Sequence, residues 1–218
     1  MFKNREEAGR KLGLKLSNYK KDNPIILAIP NGGVEVAYEA AKYLNVEFAL
    51  IIIKKLPNPF YPEIGFGAIT ENGISFIFEN TNYLLSMNTI ETIINEKTLE
   101  IEHTKKVFRE NYPIPNIDGR TVIIIDDGII MGSTMHAAIM LCKNKNAKKI
   151  IVAVPASNEK VIEEISEVIN KVIVLEKLPH LWTVEQAYES CSKVTDKDVL
   201  NFIQKYKNIE SNILKKAQ

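Results

Sequence analysis

The sequence predicts an α/β protein built on a parallel, doubly wound, Rossmann-like sheet. Short apolar segments rich in β-branched residues alternate with longer amphipathic segments of helical period. The most apolar segment, VIII at 122–125, has no polar face, which is typical of a strand buried on both sides of a parallel sheet. The 218 residues include no linker rich in Pro, Gly or Ser, so we expect one domain over 1–218.

The first half of the chain supplies two helix and two strand predictions. Apolar residues recur at helical spacing over 8–19, which predicts an N-terminal amphipathic helix. A strand is predicted at 25–29, and a helix follows it at 34–44. The apolar run at 48–53 predicts a second strand. This strand-helix-strand order requires a right-handed crossover.

The second half continues the same alternation after the 122–125 strand. Near the C-terminal end of the chain, apolar residues recur at positions i, i+3, i+4 and i+7, counted from Val199. This spacing predicts a last helix that contributes to the core. The elements predicted before that helix are, in order, a helix at 134–145, a strand at 150–154, a helix at 161–169 and a strand at 172–175.

Between the two halves the alternation stops. Residues 65–78, GFGAITENGISFIF, read as two short strands around an Asn-Gly step, which is a strong signal for a tight hairpin turn. A long polar helix is predicted at about 89–110.

Two adjacent carboxylates, Asp126 and Asp127, follow the central strand. The carboxyl end of a parallel strand faces the ligand crevice, where carboxylates can accept hydrogen bonds from vicinal ribose hydroxyls or hold a hydrated divalent cation. Gly132, Ser133 and Thr134 then open the next helix, whose N–H groups and dipole suit a phosphate. Two alternatives are an ordinary capped Asp-Gly turn and a magnesium pocket of the receiver-domain type, although receiver acids lie on the first strand.

A second candidate anion site is the loop Pro30-Asn31-Gly32-Gly33, which follows the first predicted strand. Its glycines can direct N–H groups at an anion; alternatively, they only permit tight strand-helix packing. Lys54 and Lys55 follow the second strand. They either assist a negatively charged ligand or are solvated charges at a strand end.

The segment VIIIDDGIIMGST resembles the ribose-phosphate loop of type I phosphoribosyltransferases, which bind phosphoribosyl pyrophosphate. The resemblance implies that the two aspartates hold the ribose hydroxyls and that the loop and its hydroxyls hold the 5-phosphate. The family usually has Thr at Met131 and often a basic residue at Asn31. The implied ligand contacts are Asp126, Asp127, Gly128, Ile130, Met131, Gly132, Ser133 and Thr134 for the phosphoribosyl group, and Asn31, Gly32, Gly33, Lys54 and Lys55 for pyrophosphate.

The resemblance extends to a subgroup of predicted phosphoribosyltransferases. It is carried by KKLPNPFYPEIGFGAITENG, by Val107-Phe108-Arg109 and by the segment 179–199. It implies the type I fold with a hairpin and helix cover at about 56–115 and a small C-terminal hood and helix at about 176–218. The implied cover and acceptor residues are Glu63, Arg109, Trp182 and Tyr188. Trp182 and Tyr188 would stack on a planar acceptor, or alternatively pack within the hood.

The function that the resemblance implies is transfer of a 5-phosphoribosyl group to a nitrogen acceptor, a nucleobase by expectation, with release of pyrophosphate. Asp126, Asp127 and Lys55 are the expected catalytic residues, and no residue stands out as the general base. We expect Mg²⁺ as cofactor, held mainly by the ligand and in part by the two aspartates. The alternatives are a non-catalytic regulator of the same fold that binds phosphoribosyl pyrophosphate or a nucleotide, and a hydrolase with Asp126 as nucleophile.

Charge and composition also bear on binding to nucleic acid or membrane, on the cysteines and on the location of the protein. A net charge of +1 gives no general attraction to nucleic acid or membrane, so we expect neither as a partner. Cys142 and Cys191 lack metal-site spacing and are expected to be free thiols. Because the chain shows no signal-peptide pattern, we expect a cytoplasmic protein. A homodimer is a further expectation from the family, with the apolar positions of the 89–110 helix as a candidate interface.

Overall fold

A computed structural model places a five-stranded, all-parallel sheet at the centre of the protein. It describes residues 1–62, 64–79, 81 and 84–216. The five parallel strands confirm the parallel sheet that the sequence predicts. The strands are β1 (Ile25–Ala28), β2 (Glu47–Leu50), β6 (Thr121–Ile125), β7 (Lys149–Ser157) and β8 (Lys171–Lys177). Their spatial order is β2-β1-β6-β7-β8.

Helices cover both faces of this sheet. The helix bounds are α1 (Arg5–Lys15), α2 (Gly32–Leu44), α3 (Met87–Arg109), α4 (Ser133–Asn144), α5 (Glu159–Ser166) and α6 (Asp196–Lys216). Alternate residues of the central strands, such as Ile123 and Ile124, belong to two separate apolar clusters, because successive side chains of a strand point to opposite faces. The first cluster packs under α1, α2 and α6, and the second under α4 and α5.

A second sheet is formed by three antiparallel strands, β3 (Ile53–Pro57), β4 (Gly65–Thr70) and β5 (Ser75–Ile77). The predicted hairpin is β4 and β5. The prediction of one strand over 48–53 is wrong, because the chain leaves the main sheet after β2 and enters the second sheet at β3. The sequence does not show where β2 ends and β3 begins, because residues 50–53 are all apolar and buried.

A buried ion pair lies at the point where the two sheets separate. The Glu71 carboxylate accepts a hydrogen bond from the Ile52 N–H at 3.0 Å and pairs with the Arg109 guanidinium at the end of α3. Arg109 also donates to the Leu50 carbonyl at 3.4 Å. The start of the second sheet and the end of α3 are thus fastened to the same place on the main sheet.

The N-terminal residues pair with the segment that follows β8. The Phe2 N–H donates to the Ala187 carbonyl at 2.8 Å, and the Phe2 carbonyl accepts from the Glu189 N–H at 2.7 Å. We call residues 184–195 the hood segment; it begins with a 3-10 turn at Val184–Ala187. Among residues 1–62, 64–79, 81 and 84–216, no helix is long and apolar enough to cross a membrane.

Candidate functional site

Two loops at the carboxyl ends of neighbouring strands, β1 and β6, form the centre of the candidate site. The loop after β1 lies directly against the acidic pair after β6. A Cβ atom added to Gly32 would lie 1.9 Å from Asp127 Oδ2, and one added to Gly33 would lie 2.8 Å from Asp126 Cα. A side chain at residue 32 would therefore displace the Asp127 carboxylate, and one at residue 33 would clash with the Asp126 backbone. The sequence-predicted acidic and glycine motifs are brought together as the topology demands.

The Asp127 side chain is held in place by Arg5 of α1. Arg5 Nε donates to Asp127 Oδ2 at 2.9 Å, Nη2 forms an ion pair with the same oxygen at 2.8 Å, and Nη1 donates to the Ser192 carbonyl at 2.7 Å. The Tyr188 hydroxyl donates to the Asp127 carbonyl oxygen at 2.6 Å. Both the backbone and the carboxylate of Asp127 are thus fixed from outside the ligand loops, and its side chain is only 13% exposed.

The Asp126 carboxylate has a different environment. Its Oδ1 accepts a hydrogen bond from the Asp127 N–H at 2.9 Å, and no positively charged side chain in the described ranges forms an ion pair with it. Burial, and then the neighbouring Asp127 carboxylate, raise the pKa of Asp126 well above its usual value, while the positive charge of Lys55 acts in the opposite direction. Lys55 is therefore close enough for its charge to act on the acidic pair, although it lies on the second sheet.

The loop after the acidic pair leads into the N-terminus of α4, as predicted. Gly132 caps the helix with a positive φ of 81°, a conformation that glycine adopts without strain. Ser133 is buried. The Thr134 hydroxyl is also buried, and it has no hydrogen-bond partner among the residues that the structure describes. Met131, at the position where the family usually has Thr, is 42% exposed.

The last residues of β7 and the residue after it support this loop from behind. The Ile129 N–H donates to the Ala156 carbonyl at 3.0 Å, and the Ser157 hydroxyl donates to the Ile129 carbonyl at the same distance. The Asn158 side chain donates to the Ile130 carbonyl at 2.9 Å while it caps α5. The loop backbone is therefore tied down while the N–H groups of the first turn of α4 keep no partner within the helix.

Asn31 and the two lysines, which the resemblance assigned to pyrophosphate, occupy different environments. The Asn31 side-chain amide donates to the Val194 carbonyl at 3.2 Å and to Asp196 Oδ1 at 2.9 Å, so it fastens the hood segment to the glycine loop. Lys55 is exposed and Lys54 is half-buried on β3. Of the two lysines, Lys55 is the one whose charge opposes the rise in the pKa of Asp126.

The expected cover and acceptor residues that the structure describes, Arg109, Trp182 and Tyr188, occupy different environments. Glu63 lies outside the described residues. Arg109 is committed to the buried pair with Glu71. Trp182 is 75% exposed, whereas Tyr188 is buried with its ring 5.9 Å from that of Phe2. Of these, only Trp182 presents an exposed aromatic face.

The acidic pair fits a divalent cation that arrives with a phosphorylated ligand. In the described part of the chain, no group of three or more His, Cys, Asp or Glu side chains could hold a metal ion alone. Magnesium is commonly bound through one or two carboxylates together with substrate phosphates. Asp126 is not in an ion pair with a basic side chain of the described residues, and a cation beside it would offset the burial and the Asp127 charge that raise its pKa.

Sequence reasoning missed Arg5 and Asn158 as parts of the site. Arg5 carries a signal in retrospect, since it lies on the buried stripe of α1 with Ala8, Gly9 and Leu12. A charged residue on a buried stripe needs a partner. Asn158 has the sequence features of a helix N-cap only, and nothing in the sequence indicates its bond to the Ile130 carbonyl.

Comparison with known proteins agrees with this geometry. The family model for the phosphoribosyl transferase domain matches residues 2–187. Two Mycobacterium tuberculosis proteins, each named "putative phosphoribosyl transferase", are 28% identical over 205 residues. The alignment covers 93% of this chain and 46% of theirs, so the chain spans about half the length of these curated relatives. The crystal structure of TT1426 from Thermus thermophilus is 26% identical, with a TM-score of 0.78 over 93% of this chain and 97% of that one.

Proposed function

The chain belongs to the phosphoribosyl transferase domain family, and we propose that it transfers the 5-phosphoribosyl group of phosphoribosyl pyrophosphate to a nitrogen acceptor, a nucleobase, with release of pyrophosphate. One observation carries the proposal: the acidic pair, the N-terminus of α4 and the Gly32-Gly33 loop meet at the same edge of the sheet. A ribose hydroxyl pair, a 5-phosphate and a pyrophosphate are the three groups that such an arrangement suits.

In the proposed complex, the 5-phosphate lies at the start of α4. The free N–H groups of the first turn and the helix dipole attract the anion, and the Ser133 and Thr134 hydroxyls donate to it. The buried, unpartnered Thr134 hydroxyl supports this placement, because a buried polar group without a partner is costly. Ribose then extends to Asp126 and Asp127, whose free carboxylate oxygens accept from the 2- and 3-hydroxyls.

Pyrophosphate leaves toward the Gly32-Gly33 loop in this proposal. Cleavage of the bond between ribose C1 and the pyrophosphate oxygen builds positive charge on the sugar and negative charge on the leaving group. Asp126 and Asp127 stabilise the first, and Lys55 stabilises the second. Magnesium bound with the ligand would supply further neutralisation of the phosphate oxygens. The acceptor nitrogen forms the new bond to C1 and loses its proton to solvent or to a base not identified among the site residues.

The acceptor would lie where the exposed face of Trp182 is available for stacking. Fold alone does not choose the base, since selectivity depends on the residues around the acceptor. We infer in addition a cytoplasmic location, consistent with the free thiols Cys142 and Cys191. A homodimer stays part of the proposal as an expectation from the family.

The test combines ligand binding with product detection. Phosphoribosyl pyrophosphate and magnesium are titrated into the protein by calorimetry, and pyrophosphate release is then followed with a panel of purines, pyrimidines, orotate and amines. Asp127→Asn and Lys55→Met should each weaken binding or slow release. Lys21→Met is the matched control, because Lys21 is exposed and precedes β1 at the opposite end of the sheet.

Each result assigns a different function. Pyrophosphate release with one base, lost in Asp127→Asn and kept in Lys21→Met, supports the transferase. Tight binding without release from any acceptor would identify a regulator, and release of inorganic phosphate without any base would identify a hydrolase. No binding at millimolar ligand would refute the proposal altogether.

A further inference from the structure

Arg5 makes a contact with the acidic pair that comes from outside both ligand loops. It lies on α1, at the N-terminal end of the chain, and is 122 residues away from Asp127 in sequence. Arg5 is only 7% exposed to solvent. Arginine is seldom buried to this extent without a partner, so the contacts of its guanidinium group account for its position.

The guanidinium is fixed in orientation by two hydrogen bonds and an ion pair. Nε donates to one oxygen of Asp127, Oδ2, Nη1 donates to the Ser192 carbonyl in the hood segment, and Nη2 forms an ion pair with the same Oδ2. The guanidinium carbon also lies 5.6 Å from the centre of the Tyr188 ring. Because the planar guanidinium has fixed N–H directions, these contacts leave it one orientation.

This arrangement makes the two oxygens of the Asp127 carboxylate unequal. Oδ2 accepts the hydrogen bond of Arg5 Nε, forms the ion pair with Nη2 and faces Gly32, where an added Cβ would lie 1.9 Å away. Oδ1 accepts no hydrogen bond from Arg5. A ligand hydroxyl therefore meets Oδ1, in a direction that Arg5 determines.

We propose that Arg5 is a positioning residue of the ribose site, which holds the Asp127 carboxylate so that Oδ1 alone accepts from a ribose hydroxyl. The inference rests on the proposed function, since it concerns how phosphoribosyl pyrophosphate is held. It adds a residue of α1 and, through Ser192, the hood segment to the machinery that orients the sugar. Arg5 itself does not touch the ligand.

The experiment measures the affinity of the folded protein for three probes: phosphoribosyl pyrophosphate with magnesium, ribose 5-phosphate and inorganic pyrophosphate. Arg5→Met should raise the Kd of the two ribose-containing probes about tenfold, equivalent to about 1.4 kcal/mol, and leave that of pyrophosphate unchanged. Arg10→Met is the matched control, because Arg10 lies on the same helix in an exposed pair with Glu6. It should bind all three probes as the unmodified protein does.

Two further variants separate positioning from charge and from folding. Arg5→Lys keeps the charge but not the fixed N–H directions, so it should restore thermal stability and not ribose affinity. Arg5→Met combined with Asp127→Asn should bind no more weakly than Asp127→Asn alone, since Arg5 acts through Asp127. Circular dichroism confirms which variants are folded, and Kd is compared per folded molecule.

The outcomes distinguish this inference from the proposed function. If the unmodified protein binds phosphoribosyl pyrophosphate and Arg5→Met binds it equally well, the function stands and the positioning role is overturned. Equal weakening of all three probes, or full recovery of affinity in Arg5→Lys, would also overturn it. If the unmodified protein binds neither ribose-containing probe, both proposals fall together.

Discussion

The buried pair of Arg109 and Glu71 gives the sharpest stability prediction. The two side chains are only 9% and 7% exposed, so removal of one charge leaves the other buried without compensation. Such a loss typically costs about 3–5 kcal/mol. We expect Arg109→Met to lower the free energy of unfolding by that amount, which corresponds to a fall in Tm of about 6–20 °C for a domain of this length.

The assay is chemical and thermal unfolding of a short series of variants. Arg109→Met combined with Glu71→Gln should recover most of the stability, because the glutamine removes the isolated charge and keeps an oxygen for the Ile52 N–H. Arg120→Met is the control: Arg120 pairs with Glu47 at 2.7 Å near the surface and should cost less than about 1 kcal/mol. A loss below about 1 kcal/mol in Arg109→Met would refute the reasoning. If the Arg109→Met variant is folded but no longer binds phosphoribosyl pyrophosphate, Arg109 has a role in ligand binding.

Three other predictions follow from the site and the core. Gly32→Ala should weaken phosphoribosyl pyrophosphate binding on the order of 100-fold by calorimetry, because the new methyl group displaces the Asp127 carboxylate; binding close to that of the unmodified protein would contradict the described packing. Tyr188→Phe should lower the free energy of unfolding by about 0.5–1.5 kcal/mol in denaturant titrations, since the partly buried Asp127 carbonyl loses its donor, and an unchanged midpoint would count against that bond. Burial raises the pKa of Cys142 to about 12, so iodoacetamide at about pH 8 should alkylate Cys191 and leave Cys142 unmodified in the native protein by mass spectrometry; labelling of both would show that Cys142 is accessible.

The sequence analysis placed both candidate ligand loops at the carboxyl ends of parallel strands, which share one edge of a sheet. The loops after β1 and β6 lie side by side because these two strands are neighbours in the observed strand order. The contacts from outside the two loops could not be read in the same way. Arg5 and Tyr188 reach Asp127 only after the N-terminus and the hood segment pair with each other, which depends on tertiary packing.

Element boundaries show a related limit. The single strand expected at 48–53 is divided because the Glu71 carboxylate takes the N–H of Ile52, a partner that lies beyond the reach of any local pattern. The strand expected at 150–154 extends to Ser157 in β7. Pro155 argues against such an extension, but Ala156 pairs with Glu176 of β8 and Ser157 forms a bridge with Ile129. Non-local bonds decided both boundaries.

The common attachment of the second sheet and α3 also matters for how this protein can diversify. The chain leaves the main sheet near Ile52 and returns near Arg109, and Glu71 contacts both residues. The intervening segment is therefore a module with neighbouring ends. Loops whose ends stay close accept changes of length at small entropic cost. Changes of length within this module are therefore expected to leave β1, β6 and their ligand loops in register.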